Sequence, residues 1–248
     1  MSVIEVSING PRADIRLNRP DVLNALSVEV FDALAEAADE VNRADVHVVV
    51  VSGEGRSFSS GIDLGSLGQV GGTTREMIAR AQSGFRKLAE LPMPTIAAVQ
   101  GHAYGAGLQV ALACDLRVVA EDASLGLLEM RYGLIPDCGG STILPLLVGP
   151  GRAKKMIWFA EKVDGIEAER IGLAEVVVPE SALVKTVDDI AARLAEPPHL
   201  AKRLVKQVVN LAHLVSHHGG MDNEAEAQAQ AIKSPEFSEA VTRAISPK

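Results

Sequence analysis

Aromatic side chains make up only 3% of the 248 residues. A core must therefore be filled by Val, Leu, Ile and Ala rather than by interlocking rings. Cysteine is limited to Cys114 and Cys138, too few and too irregularly placed for a disulfide framework or a zinc site. Basic residues are in the minority, 24 Lys and Arg against 32 Asp and Glu, leaving a formal net charge of −8. No basic field exists to gather a phosphate backbone, which argues against a nucleic-acid partner. A small polyanion needs only a local basic pocket and stays open. No apolar run approaches the length of a membrane span. The segment after Met1, with Glu5 and Arg12, lacks the apolar stretch of a secretion signal. The reduced cytoplasm is the expected location, with no membrane partner. Hydrophobic content of 47% beside 23% charged residues does not indicate disorder, and the length allows one substantial core plus a small appendage.

What is present is an alternation of strands, helices and glycine turns. Val3 to Leu17 alternates apolar and polar residues about Asn9-Gly10-Pro11, which reads as a hairpin. Ser27 is a good N-cap for a helix carrying Val30, Leu34, Ala38 and Val41. Val46 to Val51 and Thr95 to Val99 read as strands buried on both faces, and Leu116 to Ala120 and Val176 to Val178 as further strands. Gly53 to Gly72 is too long for an ordinary connection and reads as a binding loop. Thr73 and Glu76 have capping-box spacing before Met77, Ala81, Phe85 and Leu88. Gly107 to Cys114 reads as a short helix, and from Pro197 onward only helical patterns remain. The expected architecture is an α/β core over 1–196 with a helical region over 197–248.

Two glycine turns stand where buried strands run out: Phe58-Ser59-Ser60-Gly61-Ile62-Asp63-Leu64 and Gly101 to Gly107. Neither has dinucleotide-fingerprint spacing. Glycine lets backbone approach a ligand, and free N–H groups at a helix start favour developing negative charge, so two converging turns would make an oxyanion hole. Taken singly, either turn is explained as a change of chain direction.

Together these segments resemble a known family. Asn18-Arg19-Pro20 with Asn24-Ala25-Leu26, Phe58 to Leu64, Pro94 to Asp115, and Gly133 to Pro136 with Gly139-Gly140 are similar in order and spacing to the crotonase (enoyl-CoA hydratase/isomerase) family. Arg152-Ala153 and Ala168 to Val178 look like its continuation. The resemblance implies a spiral of ββα units and a C-terminal helical region that packs homotrimers, often paired into hexamers. It implies that the N–H groups of Ile62 and Ala106 hold a thioester oxygen. It also implies that Asn24, Ala25, Ser60, Gly61, Asp63, Leu64 and Gly105 line the substrate path, with Ile62 to Leu64 as a strand. The partner would be an acyl-CoA, with coenzyme A part of the substrate and no separate cofactor or metal.

Hydratases of this family carry two glutamates. The second falls on Glu129, whose apolar neighbours Leu127, Leu128 and Met130 should raise its pKa toward that of a general base; a surface glutamate is the plain alternative. The first falls on Gln109, which can hydrogen-bond a water but cannot accept its proton. Asp137 stands where the family pattern has glycine, and dienoyl-CoA isomerases of the family look similar there. Asp137 is then either a second proton carrier or the cap of a helix starting near Gly139-Gly140. Double-bond isomerisation is the leading expectation, hydration with Gln109 the alternative, and a non-catalytic acyl-CoA binder the alternative of another class.

Other residues carry less. His213 and His217 lie four apart on an expected helix, read as a solvated helix end before Gly219-Gly220, with no acid to complete a zinc pattern. Cys138 has no paired base that would make it a nucleophile. Lys202, Arg203 and Lys206 form a basic helix face, either solvated or meeting a CoA phosphate.

Overall fold

The computed structural model describes residues 2–66 and 74–245. Thr73 of the expected capping box and the end of the glycine-rich stretch lie outside the described residues.

Alternation at the start becomes a hairpin of β1 (Ile4–Asn9) and β2 (Arg12–Leu17), with Ile4 opposite Leu17 and Asn9 opposite Arg12. On β2 it sends Ala13, Ile15 and Leu17 into the core. Helix α1 (Val28–Arg43) follows and buries Val30, Phe31, Leu34, Ala37, Ala38 and Val41 along one stripe. Ser27 precedes it in extended conformation, but its side chain makes no capping bond. The valines of β3 (Val48–Gly53) and all of β4 (Thr95–Val99) are buried, as expected for strands covered on both faces.

After β4 the chain forms three-residue β5 (His102–Tyr104), then β6 (Leu116–Ala120), β7 (Ser124–Gly126), β8 (Val163–Asp164) and β9 (Val176–Val178). The main sheet has the order β1-β2-β3-β4-β6-β9, parallel beyond the hairpin, and β5-β7-β8 form a second sheet. Three units repeat. β3 leads to Ser59, bridged to Ala103, and then α2 (Thr74–Ala89). β4 leads to β5 and α3 (Ala106–Leu112). β6 leads to β7, a 3₁₀ turn over Glu129–Tyr132, and α4 (Gly140–Val148). This is the spiral of ββα units that the resemblance implied. Helix α5 (Pro150–Trp158) packs on α4 and the 3₁₀ turn, α6 (Gly165–Arg170) flanks the small sheet, and α7 (Glu180–Ala195) packs Leu183, Val187 and Ala191 against β3, β4 and β6. Among the described residues no helix is long and apolar enough to cross a membrane.

The C-terminal helices are α8 (His199–Leu211), α9 (His217–Ile232) and α10 (Pro235–Ile245). The basic face of α8 is not solvated. Lys206 Nζ, on a side chain only 8% exposed, pairs with Asp115 at 2.8 Å and donates to Met93 O. Arg203 donates to Val46 O, while Lys202 holds the carbonyls of Leu194 and Glu196 at the end of α7. These cations are consumed by the core because carbonyls at strand and helix ends need donors. The histidine reading is corrected too. His213 sits in a 3₁₀ turn, His217 begins the next helix, and α9 runs straight through Gly219 and Gly220 from a Ser216 cap.

His199 at the start of α8 stacks on His47, with ring centroids 3.5 Å apart and planes at 15°. Both Nδ1 atoms are buried without a hydrogen-bond partner among the described residues. Burial first, and then the His47 ring, hold His199 below the ordinary histidine pKa; Lys202 and Arg203 act the same way and Glu236 opposes. The unfolded chain therefore binds more protons than the folded one once pH falls below about 6.5, so stability is lost on acidification. Thermal unfolding followed between about pH 7 and pH 5 should show a falling Tm, and His199→Gln should flatten that slope. An unchanged slope in the variant would remove His199 as its source.

Candidate active site

The two glycine turns are hydrogen-bonded into one another. Phe58 N–H donates to Gln100 O, Ser59 N–H to His102 O, and Tyr104 N–H back to Ser59 O. Their approach is too close for side chains. A Cβ on Gly107 would lie 2.7 Å from Ser59 Cβ. At Gly61 (φ +100°) one would lie 2.7 Å from Tyr104 O and 3.9 Å from Ala106 N. The second turn thus seats the start of α3 against Gly61-Ile62. Leu26 accepts Asp63 N–H and donates to Gly61 O, which orients the Ile62 amide away from that pairing. Among the described residues neither Ile62 N–H nor Ala106 N–H donates to a protein acceptor.

Both residues line one cavity of about 100 Å³ together with Asp137 and Cys138. Phe31 of α1 and Met77, Ile78 and Ala81 of α2 make it apolar. A larger hollow of about 840 Å³ lies beneath α8, but neither Ile62, Ala106 nor Asp137 lines it.

Glu129 begins its 3₁₀ turn with its carboxylate against the second glycine turn: Oε1 is 3.3 Å from where a Cβ on Gly105 would stand. Oε1 accepts from Gln109 Nε2 at 2.8 Å, and Oε2 is buried with no partner among the described residues. Burial raises its pKa, and the Asp137 charge adds to that; its backbone and Gln109 hydrogen bonds act the other way. A raised carboxylate against Gly105, next in sequence to the free Ala106 amide, brings a group that can remove a proton close to one that can hold the charge produced.

Gln109 is buried, and its Oε1 accepts from Cys138 N–H at 2.7 Å and Gly140 N–H at 2.9 Å. Those amides open α4, so Gln109 fills the capping role that the sequence left open for Asp137. Asp137 makes no cap bond; its side chain is exposed and accepts the Cys138 thiol at 3.6 Å. Burial pushes the Cys138 thiol upward, with Asp137 adding to it, which leaves it un-ionised.

The remaining expected site residues lie in the segments that meet at the first glycine turn. Asn24 is buried at φ +54°, and its side chain is spent on backbone, accepting from Arg19 N–H and donating to Glu54 O and Ser57 O. Ala25 O accepts from Arg19, whose guanidinium also pairs with Asp63 at 3.2 Å. Ser60 N–H donates to Leu23 O, and Leu64 is exposed. These residues zip segment 22–26 to segment 60–64 and shape the approach to the amides. Ile62 to Leu64 is not a strand: Ile62 makes one isolated bridge, and Leu64–Ser66 is a 3₁₀ turn. Sequence reasoning missed Phe31, Ile78 and Arg80 as cavity residues, although the helical spacing of Met77 and Ala81 marked the face of α2 that carries Ile78 and Arg80.

Residues 8–244 match the enoyl-CoA hydratase/isomerase family as a whole. The chain belongs to this family. It is 35% identical over 218 residues to the crotonyl-CoA hydratase of Syntrophomonas wolfei, covering 87% of this chain and 84% of that one. It is 32% identical over 234 residues to the 1,2-epoxyphenylacetyl-CoA isomerase of Escherichia coli K12, covering 92% and 89%. A Thermobifida fusca YX protein provisionally assigned as an enoyl-CoA hydratase, solved in complex with CoA, superposes with a TM-score of 0.87 at 35% identity over 93% of each chain. The enoyl-CoA hydratase/isomerase scaffold explains why two unrelated-looking glycine turns meet: each lies between the strands and the helix of its own ββα unit, and the two units are paired there through Ser59 and Ala103.

Proposed function

We propose that the protein isomerises the double bond of an enoyl- or dienoyl-CoA, with coenzyme A entering as part of the substrate. The observation that carries this reading is the state of Gln109. Its oxygen is taken by two backbone amides and its nitrogen faces Glu129, so no second carboxylate remains at that position to activate a water. Asp137, in contrast, lines the same cavity as the Ile62 and Ala106 amides. In the proposed reaction Glu129 removes a proton from C2 of a 3-enoyl thioester. The electron pair moves onto the thioester oxygen, held by the two amides, and the dienolate is reprotonated at C4 by Glu129 or Asp137. The proton balance closes without a redox or metal cofactor, because one proton leaves and one returns. The zipped segments around Asn24, Ala25, Ser60, Gly61, Asp63, Leu64 and Gly105 would guide the pantetheine arm to these amides.

Hydration of a 2-enoyl-CoA is the second reading, favoured by the activity of the Syntrophomonas relative. Incubation with 2-enoyl-, 3-enoyl- and 3,5-dienoyl-CoA decides between them. Double-bond migration, with deuterium entering from heavy water at the terminus of the moved bond, is the expected result. A 3-hydroxyacyl-CoA formed rapidly without migration would overturn it. Affinity for the thioesters with neither product nor exchange would leave a binding protein.

A further inference from the structure

We infer that Gln109 is a positioning residue, whose amide locks the Glu129 carboxylate and the segment bearing Asp137 into one frame and leaves Glu129 to act as a carboxylate alone. The inference rests on the proposed use of Glu129 as a base, and it replaces the sequence-based reading of Gln109 as a group that touches water.

The orientation of the amide is determined by its neighbours. Cys138 N–H and Gly140 N–H both point at Gln109 Oε1, at 2.7 and 2.9 Å, while the 2.8 Å neighbour of Nε2 is a carboxylate oxygen. Turning the amide over would set its NH₂ against two donors and its oxygen against Glu129. There is no room for a sideways escape, because a Cβ on Gly140 would already lie 3.1 Å from Gln109 Cγ and Cδ, and the residue is 1% exposed. One buried amide therefore ties α3 to Glu129 on one side and to residues 138–140 on the other. Asp137 is the next residue in that chain segment, so the spacing of the two acids passes through Gln109.

Two consequences follow for Glu129. A donor at 2.8 Å favours its charged form and works against the burial that raises its pKa. A carboxylate at position 109 would do the reverse. One oxygen would keep the two backbone donors, and the other would face Glu129 Oε1 at hydrogen-bond distance, where two carboxylates share one proton and titrate as a pair. Glutamine here is thus not a weakened glutamate; it separates the titration of Glu129 from that of any neighbour on α3.

The test uses the whole protein without substrate, labelled with δ-¹³C glutamate, and the Glu129 signal is assigned by its loss in Glu129→Gln. Gln109→Leu should move the Glu129 midpoint upward, because the donor is gone and burial is not. Gln109→Glu should replace the single titration by two linked steps, the upper one above the wild-type midpoint. The Glu variant keeps the acceptor for Cys138 and Gly140, so it decides the matter should the Leu variant fail to fold. In turnover, the acid limb of kcat should follow the same direction, and kcat of Gln109→Leu should fall roughly 10²-fold with KM little changed, the loss expected of a misplaced base. A Glu129 midpoint equal to wild type, with one step in both variants, overturns the inference. Because the titration needs no substrate, it stands or falls independently of the product assay.

Discussion

Glu129→Gln should lower turnover by about 10²–10⁴-fold while acyl-CoA affinity stays nearly unchanged. Glutamine matches glutamate in shape, and its carbonyl oxygen can still accept from Gln109 Nε2, so the local packing survives. What disappears is the carboxylate held against the second glycine turn. Binding should survive because, in the proposed reaction, the groups that meet the thioester oxygen are the main-chain amides of Ile62 and Ala106, which the substitution does not touch. Steady-state kinetics beside calorimetric titration with a non-reactive acyl-CoA would separate the two quantities. Near-normal turnover in this variant would remove Glu129 from the mechanism.

Gly107→Ala should reduce kcat by about 10²–10³-fold, the loss typical of a displaced oxyanion donor. Inside a helix, alanine is intrinsically preferred to glycine by about 1 kcal/mol. Any loss must therefore come from what the new methyl group meets. That neighbour is Ser59, whose Cβ and Oγ would lie 2.7 Å, and whose O would lie 2.8 Å, from the added carbon. Relief requires the two turns to separate, and separation moves Ala106 N–H away from Ile62 N–H. The carbonyl stretch of a bound thioester should shift back toward its value in water, since fewer donors polarise it. Ser59→Gly in the same chain should restore part of the activity by reopening the gap. Full activity in the single variant, with the carbonyl still polarised, would show that the turns need not touch.

The parts of the fold that were legible in the sequence are those whose signal is local. Strands of the parallel sheet show as short, mostly apolar runs, so β4, β6 and β9 fall where Thr95, Leu116 and Val176 begin them, even with Arg117 inside β6 and β9 only half-buried; β3 begins two residues into its expected segment. The hairpin announced itself by alternation about Gly10. The second sheet did not, because β5, β7 and β8 have three residues or fewer, too short for any period, and their pairing joins distant segments. At the site, Glu129 and the Ile62 and Ala106 amides were named through the family resemblance, with the apolar neighbours of Glu129 and the glycines beside the amides as its local support. Gln109 was legible as a departure from a pattern but not as an anchor, since its partners Cys138 and Gly140 lie 29 and 31 residues away. The basic stripe of α8 misled for a similar reason: nothing local distinguishes Lys206 reaching Asp115 from a lysine reaching water.

That stripe has a consequence for how the protein can drift. Lys202, Arg203 and Lys206 hold main-chain carbonyls of Leu194, Val46 and Met93, and a carbonyl is offered by whatever residue occupies its position. As far as these bonds go, the core side of the seam is free to change identity, and Asp115 is the side chain there that is committed to the exchange. The helix side has no such freedom, because only a long cation spans the gap. Recombination should therefore find this junction permissive. A C-terminal segment from a diverged copy would dock on this core if it kept cations at the spacing of 202, 203 and 206, even where the surfaces beneath had lost all other likeness.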